Sequence, residues 1–88
     1  MIRINGIIED IKSLRNDPTY RSALYISNLL QNNKHLFLNK MPETDFNYLL
    51  KNFDELSYSS PKDHNTSGFK RNFETYFESL LFHLNKIV

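Results

Sequence analysis

The chain contains no cysteine. No disulfide can staple it and no thiolate can bind zinc. Small secreted domains usually depend on such staples, so their absence sets the expectation of a cytoplasmic protein. Glycine is nearly missing, with two in 88 residues, and neither sits in a phosphate-cradling loop motif. No block of like charge is present: eleven basic and ten acidic residues are scattered along the chain, for a net charge of +1. A nucleic-acid surface usually shows a basic stripe and a high pI, and the value here is about 8.0. No apolar run approaches the roughly 18 residues of a membrane span. The opening MIRINGIIEDIKSL does not read as a signal peptide, because Glu9 and Asp10 interrupt its apolar stretch. There is no internal repeat and no low-complexity tract.

What is present is a large apolar allowance for a short chain. Seven Phe and five Tyr supply a core without Trp. A domain of this size buries only about 60–65% of its unfolded surface, so that core must be used economically. The reading is one domain over residues 1–88. Its apolar spacing is helical almost throughout. Ile4, Ile7, Ile8, Ile11 and Leu14 predict a helix over 5–15. Asp17-Pro18 then predicts an N-cap and first turn for a helix over 18–32. Tyr20, Ala23, Leu24 and Leu30 mark one of its faces, and Tyr25, Ile26 and Leu29 widen it, which predicts a central helix buried on several sides. Asn32 and Asn33 fit left-handed C-terminal positions. Residues 34–41 read either as one helical turn or as an extended connector ended by Pro42. Phe46, Leu49, Leu50, Phe53 and Leu56 predict a helix over 44–57 capped by Thr44. Phe69, Phe73, Tyr76, Phe77, Leu80, Leu81, Leu84 and Ile87 predict the last, over 67–86. The expected fold is all-α: a compact bundle of four main helices with a possible short extra helical turn.

Catalytic and metal chemistry find little to stand on. The segment SYSSPKDHNTSG, residues 57–68, holds Ser59, Ser60, Asp63 and His64. Crowded into one loop and lacking a nucleophile elbow, they fit a turn better than a triad. His35, His64 and His83 are never four residues apart, and His83 falls on the flank of the last apolar stripe. Glu74 and Glu78 have the spacing of a di-metal bundle, but the Glu-x-x-His partners are missing, so they read as a solvated edge. No catalytic residue, cofactor or metal is expected, and the chain does not read as an enzyme.

Aromatics off the core stripes carry more. Phe82 points away from the last apolar stripe, among Arg71, Thr75, Glu78 and Lys86. Tyr48 lies on the outer side of its helix near Lys51, Asn52 and Glu55, and Tyr58 opens the long loop. Single exposed aromatics are ordinary, yet Tyr, Phe and Arg are also the usual anchors of interfaces. Glu43, Asp45, Asp54 and Glu55 against Lys51 alone give residues 43–57 a local charge of −3, which suits a basic partner. Tyr48, Asp54, Glu55, Tyr58 and Phe82 are therefore the expected contacts with a protein partner.

Asn, Lys, Ile, Tyr and Phe make up 37 of the 88 residues, the signature of AT-rich codons. In size and in this composition the chain resembles the small bacterial immunity proteins that protect a cell from a toxin. The resemblance implies a protein that binds a toxin domain and blocks its active site, but it carries no individual residue across. Immunity proteins against nuclease toxins are often acidic, whereas this chain is slightly basic. Two other readings stand beside it. The first two helices could form a helix-turn-helix, with Arg21, Ser22, Ser27, Asn28 and Gln31 offered to DNA. The last helix could pair in a homodimer with a structural role.

Overall fold

The computed structural model describes residues 4–58 and 67–87. They form five helices: α1 (Ile4–Lys12), α2 (Tyr20–Asn32), α3 (Lys34–Leu38), α4 (Glu43–Ser57) and α5 (Ser67–Ile87). The molecule is an all-α bundle of four main helices with one short extra helix, α3. The residues 59–66, including the Ser59, Ser60, Asp63 and His64 group, lie outside the described residues.

Helix ends follow local hydrogen bonds more than composition. After Lys12 the bonds shorten from i−4 to i−3, with Leu14 N–H donating to Ile11 O and Arg15 N–H to Lys12 O, both near 3 Å. The tighter turn ends α1 before Arg15. At α2 the cap is Thr19 rather than Asp17. Thr19 is extended (φ −124°, ψ 161°) and its hydroxyl accepts the Ser22 N–H at 3.2 Å, so Pro18 is left just outside the helix. Asp17 still serves that end by accepting from the buried Ser22 hydroxyl at 2.7 Å.

Asn33 is not left-handed (φ −121°), and no described non-glycine residue has positive φ. Instead its side-chain amide donates to Leu29 O at 2.9 Å, while its own carbonyl accepts from Leu36 and Phe37. One buried asparagine thus closes α2 and opens α3. The 34–41 segment therefore holds one short helix, Lys34–Leu38, which seats Phe37 fully in the core against Phe46, with ring centroids 6.0 Å apart. Pro42, not Thr44, occupies the N-cap of α4; its fixed φ of −60° suits the position, and its carbonyl accepts the Phe46 N–H.

α4, rather than α2, is the central helix. It touches α2, α3 and α5. Phe46, Leu49, Phe53 and Leu56 are its buried stripe. Phe53 meets Phe73 and Phe77 of α5 edge-on, at 6.1 and 6.5 Å. Each such fully buried Phe contributes about 1.5–3 kcal/mol relative to exposure, and edge-to-face pairing adds about 0.5–1.5. Ile7, Ile8 and Ile11 complete the core from α1. α2 buries Ser22, Ala23, Ile26, Ser27 and Leu30 but exposes Leu24 and Tyr25. It is an ordinary amphipathic helix, so Leu24 is not a core residue.

Candidate functional site

With α4 packed on three sides, one strip of it is left to solvent. Tyr48, Lys51, Glu55 and Tyr58 recur at i, i+3, i+7 and i+10 and are all exposed. That spacing keeps them in a single row on the helix surface, roughly opposite the buried Phe46–Leu56 stripe. Tyr48 is 55% exposed and Tyr58, at the C-cap, 84%. The row therefore reads aromatic, cation, anion, aromatic over about 15 Å of helix. Asn52, expected beside it in water, is buried, and its amide nitrogen has no hydrogen-bond partner among the described residues.

The structure brings together three of the five expected contacts, Tyr48, Glu55 and Tyr58. Asp54 turns the other way. It is half-buried and accepts from the buried Ser27 hydroxyl and, at 3.3 Å, from the Gln31 amide. It clips α2 to α4. Phe82 is exposed at 58%, as expected, but on α5. There Lys86 Nζ sits 4.3 Å from its ring centroid and the His83 ring meets it edge-on. α4 and α5 run antiparallel, because Asp45 faces His83 at one end and Phe53 faces Phe73 at the other. Phe82 thus lies level with the start of α4, whereas Tyr58 lies at its end.

His83 is half-buried. Its Nδ1 is 2.8 Å from Ser79 O, so the ring donates there and turns Nε2 toward Asp45 at 3.9 Å. A catalytic base would have its carboxylate on the orienting nitrogen and a nucleophile on the other. Here the carboxylate stands distant on the free side. Among the described residues no cluster of three His, Asp or Glu could hold a metal. None of the helices there is long and apolar enough to cross a membrane.

Leu24 and Tyr25 are surface features that the sequence reading assigned to a buried helix, whereas Lys51 lies on the outer side of α4 beside Tyr48, as expected. No known family, no characterised protein and no solved structure matches the chain.

Proposed function

We propose that the protein is a small binding module and that the outer row of α4 is its contact surface. The observation that carries this is the row itself: two exposed tyrosines flanking Lys51 and Glu55 on a helix packed against α2, α3 and α5. A rigid helix presents such anchors at little entropic cost, and Tyr is among the residues that dominate binding energy. Acidic residues on α4 outnumber Lys51, which suits a basic surface opposite. On the resemblance in size and composition, we take that partner to be a bacterial toxin domain which this protein neutralises. Two features weigh against the other readings. Ser22 and Ser27 are buried and bonded to Asp17 and Asp54, which strips the supposed recognition helix of two of its five polar groups. The apolar stripe of α5 is already consumed inside the fold.

The test is capture of the stoichiometric partner from the native host, identified by mass spectrometry, followed by titration with variants. Tyr48→Ala should weaken binding by roughly 30-fold, a typical anchor loss of about 2 kcal/mol. Glu55→Lys should also weaken it, mainly through the association rate. Both variants should keep the helical circular dichroism of the parent. Full affinity in both would remove α4 as the contact surface.

A further inference from the structure

A half-open cleft of about 340 Å³ lies between the turn joining α1 to α2 and the first half of α5. The turn contributes Arg15, Asn16 and Pro18. α5 contributes Lys70, Phe73, Glu74 and Phe77, whose i, i+3, i+4, i+7 spacing turns them to the cleft together. None of its lining belongs to α4, so it is separate from the row described above.

The floor is apolar: Phe73 and Phe77 are 1% and 2% exposed and lie 5.7 Å apart, nearly parallel. The rim is charged. Arg15 contacts Glu78 through one nitrogen at 2.8 Å, and a guanidinium has five N–H donors, so most remain open. Lys70 and Glu74 are one helical turn apart, yet neither forms an ion pair among the described residues. Glu78, which pairs with Arg15 from outside the lining, brings the surrounding charges to balance, so the cleft has no net charge to favour a simple anion or cation. It does have an open cation and an open carboxylate side by side above an aromatic floor. The matching ligand carries both charges close together on an apolar body. The volume is at the low end for ligand sites and limits that body to a small molecule.

We propose that this cleft binds a small zwitterion with an apolar side chain, an aromatic or large aliphatic α-amino acid. Lys70 and Arg15, with the Asn16 amide, receive the carboxylate. Glu74 receives the ammonium group. The side chain lies along the Phe73–Phe77 edge.

The test is a ¹H–¹⁵N NMR titration of the full chain with L-phenylalanine. 3-Phenylpropionate, which lacks the ammonium, and phenethylamine, which lacks the carboxylate, are titrated in parallel. Amides of residues 15–17 and 70–77 should shift saturably with L-phenylalanine. Each single-charge analogue should bind about threefold or more weakly, the loss of one partly exposed ion pair. Lys70→Ala and Glu74→Ala should each show a similar loss while keeping the dispersed spectrum of the parent. No saturable shift in those segments up to roughly 10 mM, an affinity too weak for a specific site, overturns the proposal. So does equal binding of the three compounds, which would reveal a bare apolar patch. A loss with Lys70→Ala but not with Glu74→Ala would show a plain anion site and also overturn it.

Discussion

At the scale of single residues, Asp54 and Asn52 show how a polar group on the central helix is either used or left idle. Asp54 satisfies the hydroxyl of Ser27, a side chain 1% exposed in the α2–α4 interface, and holds Gln31 beside it. Asp54→Ala would strand that hydroxyl and remove a charge-assisted bond, a loss of about 1–3 kcal/mol. Urea unfolding should show a lower midpoint with an unchanged slope. Ser27→Ala should cost less, and adding it to Asp54→Ala should cost almost nothing further, because both act on one bond. Full additivity would show that Asp54 stabilises the fold by some other route. Asn52 is the opposite case. Its buried amide nitrogen has no partner among the described residues, an arrangement that costs about 1–3 kcal/mol. Asn52→Leu keeps the branched four-atom shape, removes that cost and raises helix propensity, so the urea midpoint should rise provided the site takes the larger methyls. A fall with Asn52→Leu and also with the smaller Asn52→Ala would mean that the amide is bonded. Neither role could be read from sequence. Asp54 and its serine are 27 residues apart, and Asn52 sits among residues that pattern as wet.

At the scale of elements, legibility tracked the length of the apolar pattern. The bounds predicted for α4 and α5 fell within one residue of those observed, because each repeats its stripe over about three turns or more. α2 was harder. Its buried face includes Ser22 and Ser27, while Leu24 and Tyr25 face outward, so apolar identity placed Ala23, Ile26 and Leu30 correctly but drew the face too wide on one side. What turned the helix was polar satisfaction: Asp17 and Asp54 supply acceptors that let two serines be buried without penalty. Its start shifted for a local reason, since both Asp17 and Thr19 can cap and only Thr19 reaches the Ser22 N–H. Thr19→Ala should therefore cost about 1 kcal/mol, measured by urea unfolding, and Asp17→Ala should act through Ser22 rather than through the backbone. An unchanged midpoint in Thr19→Ala would show that the cap is dispensable. The 34–41 segment was open because a five-residue helix has too few turns to show a period. Asn33, by ending one helix and starting the next, decided it.

At the scale of the whole molecule, what remains on the surface decides how the protein associates. The candidate row on α4 was legible in part: Tyr48, Glu55 and Tyr58 follow from helical spacing alone. That Asp54 faces inward and Phe82 stands at the far end of the bundle needed the packing of α2 and α5. That packing also bears on self-association. From Phe69 to Leu84 the apolar stripe of α5 is buried within the chain, so the longest helix has no apolar face left to offer a second copy. Among the described residues, the exposed large apolar side chains are divided among α2 (Leu24 and Tyr25), α4 with its C-cap (Tyr48 and Tyr58) and α5 (Phe82). A permanent dimer buries a contiguous, largely apolar area on the order of 1,000 Å² per partner or more, and isolated side chains do not supply it. Light scattering should therefore give the monomer mass of 10.5 kDa. Twice that mass would mean that two of these faces meet across a symmetry axis, and two variants would say which. If Leu24→Ser alone restored the monomer, the α2 face would be the dimer contact and the α4 row would stay open to a different protein. If Tyr48→Ala did so, the row would be occupied by a second copy of this chain, and the proposed partner would have to compete with it.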